Sequence, residues 1–190
     1  PASASIPSAG FTDTTDTAVD CIKYYGITSG TTATTYSPTD SVTRWQMALY
    51  LTRTADVAGH TLGSGADQGF TDISGYAADI QTAINQLKQL GVTTGTTATT
   101  YSPDDNVTRE QMAMFIERLL QKSTGGPGGS TVALKGISTA TATYNYTDID
   151  SGSVTFEGHN AIAELYHLGV TGDLKTQASY RPTADITRAE

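Results

Sequence analysis

The stretch Gly30-Thr-Thr-Ala-Thr-Thr-Tyr-Ser-Pro38 decides the fold, because it recurs without change as Gly95-Thr-Thr-Ala-Thr-Thr-Tyr-Ser-Pro103. Identity of this length within one chain indicates an internal repeat rather than chance. An aromatic-Thr-Asp triplet precedes each copy, at Phe11 and at Phe70, and a third triplet begins at Tyr146. The chain therefore contains three related units.

Each unit is predicted to be a helix, a loop and a second helix. The first helices should end at Gly26, Gly91 and Gly169, because a glycine followed by Ile or Val is typical of a left-handed helix end. Apolar residues at helical spacing predict one buried face for each helix. In the first helices these residues are Ala18, Ile22 and Tyr25; Ile80, Ile84, Leu87 and Leu90; and Ile162, Leu165 and Leu168. In the second helices they are Met47, Ala48, Leu51 and Ala55, and Met112, Phe115, Ile116 and Leu119.

A unit of this size cannot bury its apolar stripe alone, so the units should pack side by side around an approximate threefold axis. We therefore predict a mostly α fold, in which three helix-loop-helix repeats form a spindle-like bundle. The predicted parts are an N-terminal extension over 1–10, repeat 1 over 11–59, a linker over 60–69, repeat 2 over 70–122, a Gly-rich linker with a short β-hairpin over 123–145, and an incomplete repeat 3 over 146–190.

The third repeat reaches Glu190, the fourth residue of a helix-start motif whose apolar stripe would follow. Two explanations stay open: the natural protein continues, which we favour, or a neighbouring chain supplies the absent helix. The first residue is Pro1 rather than Met, so a removed leader and a fragment are both compatible with this sequence.

The charge balance of the chain narrows its partners. Its 190 residues carry 11 Lys and Arg against 19 Asp and Glu, a net charge of −8. A field of this sign repels phosphate backbones, so binding to nucleic acid is disfavoured. No apolar run approaches the roughly 20 residues that a membrane helix requires, so we expect no membrane span. Cys21 is a lone cysteine, which excludes an intramolecular disulfide and predicts a packing role.

No catalytic or metal-binding constellation is visible in the sequence. The acidic pairs Asp104-Asp105 and Asp148-x-Asp150 lack the glycine and closing glutamate of a calcium loop. The serines near histidine lack a nucleophile elbow. We therefore expect neither enzymatic activity nor a metal or other cofactor. The histidines without matching metal-ligand spacing are His60, His159 and His167.

The second helices begin at Thr43-Arg44, Thr108-Arg109 and Thr187-Arg188, and three of the six arginines occupy this position. A capping box explains the threonines and the Gln or Glu three residues later. It does not explain the arginines, because the helix dipole disfavours a cation there by a few tenths of a kcal/mol. A guanidinium beside unpaired helix amides makes a carboxylate site, which is one explanation of the arginines.

The alternative is an ion pair between each arginine and an aspartate of a neighbouring opening triplet. The aspartates themselves are expected to cap a turn or a helix. An arginine at this position contributes little to helix stability, so Arg109→Ala is expected to leave the fold intact. The aspartates of the opening triplets are Asp13, Asp72 and Asp148.

These motifs together resemble the S-layer homology family, whose units open with aromatic-x-Asp, continue with Gly-Ile/Val-x-x-Gly and end with Thr-Arg-Ala-Glu. The resemblance implies a three-pronged helical spindle and a secreted, non-catalytic anchor at the cell wall or S-layer. Its implied partner is secondary cell-wall polysaccharide of the bacterial envelope, often recognised through a pyruvate ketal on an amino sugar. The candidate glycan-binding residues are Arg44, Arg109, Arg188, Asp13, Asp72, Asp148, Trp45, Gly30 and Gly95.

The first unit departs from this pattern in two ways. Trp45 replaces the motif alanine, and it either stacks on a sugar ring or fills a gap between helices. In the second unit Glu110 stands in the same place. Asp13 to Gly26 spans 13 residues, against 19 and 21 in the other units, which leaves the function of the first groove open.

Two other functions remain open at this point. The chain is alternatively a structural subunit of a surface layer, filament or virion that packs into a homo-oligomer or lattice through the incomplete third unit. It is otherwise the anchoring portion of an exported enzyme whose catalytic domain lies beyond either terminus.

Overall fold

The computed structural model describes residues 6–122, 144–150, 152–171 and 177–190. The helices of these residues confirm the predicted mostly α class, and the only β pairing in this part of the chain consists of isolated bridges. The hairpin predicted within 123–145 lies almost entirely outside the described residues. The described helices are α1 (Thr17–Tyr24), α2 (Arg44–Val57), α3 (Ala78–Gln89), α4 (Arg109–Gln121) and α5 (Phe156–Leu168).

The first helix of each unit ends at the predicted glycine. Gly26, Gly91 and Gly169 have φ values of 73°, 73° and 78°. The amide of the following Ile or Val returns to a carbonyl oxygen in the last turn of the helix, which satisfies that acceptor. These bonds run from Ile27 to Ile22 at 2.8 Å, from Val92 to Leu87 at 2.9 Å and from Val170 to Leu165 at 3.0 Å.

The second helices begin at the predicted threonines. The Gln46 side chain accepts a hydrogen bond from the Thr43 amide, and the Gln111 side chain accepts one from the Thr108 amide, both at 3.2 Å. The Glu190 carboxylate accepts from the Thr187 amide at 3.1 Å in the same way. The Thr-x-x-Gln pattern therefore marks the starts of α2 and α4, as the capping interpretation predicts, whereas residues 187–190 form a turn.

The three units meet in a closed ring of backbone hydrogen bonds. The amide of Val42 donates to the carbonyl oxygen of Ile186 at 3.0 Å, and the amide of Ile186 donates to that of Val107 at 2.9 Å. The amide of Val107 closes the ring by donating to the carbonyl oxygen of Val42 at 2.9 Å. Since each unit donates once and accepts once, the ring gives the described chain its approximate threefold arrangement.

Apolar packing holds the helices around this ring. The largest cluster lies between α2, α3 and α4 and includes the buried Met47, Ile84 and Leu87. A second cluster includes Ile162 and Leu165 of α5 and packs against α4, and a third joins α1 to the loop of the first unit.

The predicted apolar face of α1 is right at Ile22, which packs against the third cluster, and wrong at Ala18 and Tyr25. Val19 is 3% exposed, whereas Tyr25 is 46% exposed and Ala18 faces solvent. Val19 packs with Phe11 and Tyr36, so the contacts of this short helix with its own loop set the face that it buries. Periodicity alone specifies little in a helix of about two turns.

Candidate functional site

Each motif arginine is buried in the neighbouring unit. Arg44, Arg109 and Arg188 are 4%, 2% and 8% exposed. Their Nε atoms donate to backbone carbonyl oxygens at the tyrosine of the next repeated loop, which fixes the position of each guanidinium. These bonds are Arg44 to Tyr101 at 2.7 Å, Arg109 to Tyr180 at 2.7 Å and Arg188 to Tyr36 at 2.6 Å.

The same tyrosines bind back to the arginines. Each phenol hydroxyl donates to the carbonyl oxygen of the arginine that its own backbone holds, and each guanidinium lies over the phenol ring at 4.6 to 4.8 Å. Burial raises the pKa of Tyr36 and of Tyr180 to about 12, so these hydroxyls remain donors at physiological pH. The hydroxyl bonds are Tyr36 to Arg188 at 2.6 Å, Tyr101 to Arg44 at 2.9 Å and Tyr180 to Arg109 at 3.2 Å.

The expectation of unpaired helix amides beside the arginines is wrong. The amide of Arg44 donates to the carbonyl oxygen of Asp105 at 2.9 Å, and that of Trp45 donates to Pro103 at 3.0 Å. The amides of Arg109 and Arg188 are bonded across their unit boundaries at the same distance. The first amides of these helices therefore serve the contacts between units, and only the guanidinium groups are left for a ligand.

The structure gives Arg109 a larger share in stability than its position at a helix start suggests. Arg109 is almost fully buried, and its loss would leave the Tyr180 carbonyl oxygen without a partner inside the protein. Burying an unsatisfied acceptor costs about 1–3 kcal/mol. The motif arginines are therefore structural residues, whatever they also bind.

The opening aspartates brace the repeated loop of their own unit. The Asp13 carboxylate accepts from the amides of Tyr36 at 2.9 Å and Ser37 at 2.7 Å. Ser37 has a φ of 57°, a strained conformation for a residue with a side chain, so the carboxylate stabilises a costly turn. Hydrogen bonds from these amides hold the pKa of Asp13 below its ordinary value. Asp72 and Asp148 accept equivalent bonds at Ser102 and Arg181, whose φ values are 55° and 58°.

The expected ion pairs between the motif arginines and these aspartates are therefore absent. Within the described parts of the chain, the carboxylate groups in ion pairs belong to Glu157 and Glu190. Arg109 pairs with Glu190, which also pairs with Arg181 at 2.8 Å.

Gly30 and Gly95 allow the repeated loops to close over an aromatic ring. A Cβ atom on Gly30 would lie 2.5 Å from the ring of Phe11, and one on Gly95 would lie 2.6 Å from that of Phe70. Their φ values of 87° and 92° also disfavour any other residue. The two glycines are therefore required by the loop, and Gly30 additionally lines a groove.

This groove, which we call groove 1, lies between the first and third units. It is a cavity of about 250 Å³. Trp45 forms part of its wall and also packs against the main core, which agrees with the interhelical packing that the sequence allowed. The lining residues are Thr28, Ser29, Gly30, Thr31, Trp45, Gln46, Leu49, Tyr50, Arg53 and Arg188.

Arg188 reaches groove 1 between two aromatic rings. Its guanidinium carbon lies 4.6 Å from the ring centre of Tyr36 and 5.7 Å from that of Tyr50. Its Nη1 donates to the Tyr50 hydroxyl, whereas its buried Nη2 has no acceptor. Arg188, which lines groove 1, thus keeps one buried donor without an acceptor among the described residues.

The equivalent places in the other units differ. Groove 2 is the region of Arg44, whose guanidinium carbon lies 4.6 Å from the ring centre of Tyr101 and 5.6 Å from that of Phe115. Groove 3 is a cavity of about 390 Å³ beside Arg109, where the Glu190 carboxylate binds the guanidinium. Phe115 offers no hydroxyl where Tyr50 offers one, so the three grooves are chemically distinct.

A separate apolar cleft of about 420 Å³ lies between α1, α2 and α4. Its walls include Val19, Leu51, Ile116 and Leu119, and one end is formed by residues 186–190.

Two further expectations concern metals and membranes. The described residues contain no cluster of three or more His, Cys, Asp or Glu side chains that would hold a metal ion. Nδ1 of His159 lies 2.8 Å from the Ile149 carbonyl oxygen, which fits a structural role for this side chain. Among the helices of the described segments, none has the length and apolarity to cross a bilayer.

Sequence reasoning missed Tyr50 and Arg53 in groove 1, and the tyrosines that hold the arginines. The tyrosines were visible, because each repeated loop places Tyr two residues before Pro. Arg53 lies eight residues after Trp45 on α2, a little over two turns, so the side of the helix that Trp45 occupies was the available signal for Arg53.

Comparison with known proteins agrees with the geometry. Residues 69–113 match the family described as the S-layer homology domain. The chain is also 41% identical over 93 residues to an endoglucanase from Bacillus sp. (strain KSM-635), an alignment that covers 48% of this chain and 9% of the relative. S-layer homology domains are anchoring modules that bind cell-wall polymers, which indicates association with the cell surface. Residues 69–113 are therefore similar to an S-layer homology domain, the family whose motifs the sequence resembles.

Proposed function

We propose that the chain is a non-catalytic module that anchors its protein to the bacterial envelope by binding an anionic secondary cell-wall polysaccharide. The ligand enters a groove between units and presents a carboxylate, such as that of a pyruvate ketal, to a motif arginine, for which the candidates are Arg44, Arg109 and Arg188. The S-layer homology domain supports the cell-wall partner. The geometry of groove 1 supports the carboxylate.

The observation that carries this proposal is the buried guanidinium of Arg188, which lines groove 1 and whose Nη2 has no acceptor among the described residues. A buried donor without an acceptor is costly, and a charge-assisted hydrogen bond to a carboxylate would remove that cost. The Trp45 side chain in the same wall offers an apolar face to a sugar ring. A net charge of −8 repels anions at long range, so the attraction must come from such local cations.

The test is retention of the protein on purified Bacillus cell-wall sacculi. We expect strong retention on intact sacculi and much weaker retention after mild acid removes ketal-linked pyruvate. We expect no retention after the polysaccharide has been extracted. Equal retention on pyruvylated and depyruvylated walls would contradict the carboxylate. Equal retention on walls without polysaccharide would contradict the polysaccharide partner.

A second candidate function is self-assembly, and the apolar cleft favours it. Its lining includes Val19, Ile22, Leu51, Ile116 and Leu119, which together suit the apolar stripe of one further helix. A helix supplied by a neighbouring copy would make the chain a structural subunit of a surface layer, filament or virion. Light scattering across a hundredfold range of concentration tests this function: growing mass supports it, and a monomer throughout excludes assembly through the cleft.

A further inference from the structure

Groove 1 contains a second cation that the motif does not supply. Arg53 of α2 is half-buried and lines the same cavity as Arg188. Its Nη1 donates to the Ile27 carbonyl oxygen at 3.2 Å, and it takes part in none of the ion pairs of the described residues. No Asp or Glu lines groove 1, although Arg53 also borders a neighbouring cavity that Asp56 and Asp79 line, and the charge of Arg188 contributes to the lowered pKa of Asp13.

The second unit holds its equivalent arginine in the same way but neutralises it. Arg118 of α4 donates through Nη1 to the Val92 carbonyl oxygen at 3.1 Å, as Arg53 does to Ile27. Its Nε also donates to the Glu157 carboxylate at 2.6 Å, and this bond holds the pKa of Glu157 below its ordinary value. Groove 2 therefore has a compensated cation where groove 1 has a free one.

The residue after the motif arginine is a further difference between groove 1 and groove 2. Trp45 lines groove 1, whereas Glu110 occupies its place in the second unit. The Glu110 carboxylate accepts from the amide and the hydroxyl of Thr155 at 2.8 and 2.7 Å. Groove 2 thus presents a carboxylate at the position where groove 1 presents an aromatic ring.

We infer that groove 1 is the carboxylate-sugar site of the described units and that Arg53 is a binding residue in it. Arg188 and Arg53 bind the carboxylate together, and Trp45 contacts the sugar ring. This inference rests on the proposed function, to which it adds a location, a stoichiometry of one and a residue outside the Thr-Arg pair. The shorter first unit, whose groove the sequence left open, is then the binding unit.

The chain offers its own site-specific probe, because Trp45 is its only tryptophan. The ligand for the test is the methyl glycoside of an N-acetylhexosamine that carries a cyclic pyruvate ketal. Titration calorimetry counts the sites, and tryptophan fluorescence reports occupation of groove 1 alone. We expect one site per chain and a fluorescence change that follows the same isotherm as the heat.

The matched variants are Arg53→Gln and Arg118→Gln, which remove side chains with equivalent backbone bonds. Arg53→Gln is expected to weaken binding by about tenfold or more, because a charge-assisted contact is lost. Arg118→Gln is expected to stay within about twofold of the wild type, since its charge is already paired. Arg53→Lys, which keeps the charge, should recover part of the affinity, and circular dichroism checks that each variant is folded.

The outcomes separate this inference from the proposed function. If the protein is retained on cell walls, three results would each overturn the assignment of the site to groove 1. These are an unchanged Trp45 fluorescence signal, two or three sites per chain, and equal losses of affinity for Arg53→Gln and Arg118→Gln. Wild-type protein that binds neither walls nor the sugar would overturn the proposed function and this inference with it.

Discussion

Groove 1 and groove 2 are built on the same frame and carry different chemistry. The bond from arginine Nε to tyrosine carbonyl oxygen is 2.6 Å in the first and 2.7 Å in the second, and the guanidinium lies 4.6 Å from the tyrosine ring in both. The side chains around this frame differ. Groove 1 has Trp45 where groove 2 has Glu110, and it has Arg53, which forms no ion pair, where groove 2 has Arg118, which is paired with Glu157. The frame thus fixes the units relative to one another, and the residues outside it decide what each groove can bind.

If both grooves share this frame, removal of its tyrosine should lower the free energy of unfolding equally in each, and this is the largest effect that we expect. Tyr36→Ala and Tyr101→Ala should each lower the free energy of unfolding by about 3–5 kcal/mol, because a buried aromatic side chain is removed. The matched changes to Phe, which remove only the hydroxyl, should cost about 1 kcal/mol. Urea unfolding measures all four, and a cost for one tyrosine much below that for the other would break the equivalence.

Substitution of the loop glycine by alanine should destabilise both repeated loops to a similar degree. Gly30→Ala and Gly95→Ala combine a positive φ with contacts as short as 2.5 Å, so each is expected to cost about 2 kcal/mol or more. Gly10 has a φ of 77° and open space around its Cα, so Gly10→Ala controls for the conformational cost and should lose only about 1 kcal/mol. Thermal unfolding that ranks Gly10→Ala with the other two would remove the role of close packing.

The contact between α4 and α5 should depend on pH, whereas the equivalent contact of α2 should not. Glu117 of α4 faces Glu164 of α5, and burial together with the neighbouring Glu117 raises the pKa of Glu164 to about 7. Arg118, Glu157 and Gln121 also act on this pair. The residue of α2 in the place of Glu117 is Thr52, which donates to its own helix at 2.8 Å.

The sign of this dependence follows from the raised pKa. Between the ordinary value of 4.5 and about 7 the folded protein binds more protons than the unfolded chain, so stability falls as pH rises through that window. Because the pair is partly exposed, the loss should be on the order of 1 kcal/mol. Glu164→Gln should flatten the profile between pH 5 and 8 in urea unfolding. A profile unchanged by this substitution would show that Glu164 does not titrate in that range.

Asp13 should have the smallest effect on stability, and its pH dependence should have the opposite sign to that of Glu164. Its pKa lies below the ordinary 3.8, so its contribution to stability is present above that value and is lost as pH falls further. Asp13→Asn should therefore be less stable than the wild type at pH 7, and the difference should narrow in acid. Parallel acid titrations followed by circular dichroism measure this, and a constant difference would contradict it.

The sequence predicted what is local in this molecule. The glycine helix ends at Gly26 and Gly91 and the capping boxes at Thr43 and Thr108 follow from patterns a few residues long, and the structure has them. Whether Arg53 is free and Arg118 paired depends on Glu157, which lies in another unit and leaves no local pattern. The burial of Arg44 against Tyr101 is likewise a contact across 57 positions.

The most direct measurement of the central claim is a crystal structure of the protein soaked with the pyruvylated amino sugar. The account predicts one bound sugar in groove 1, with its carboxylate within hydrogen-bond distance of Arg188 and Arg53 and its ring against Trp45. A sugar bound in groove 2 or on the outer surface, with groove 1 empty at saturating concentration, would contradict it.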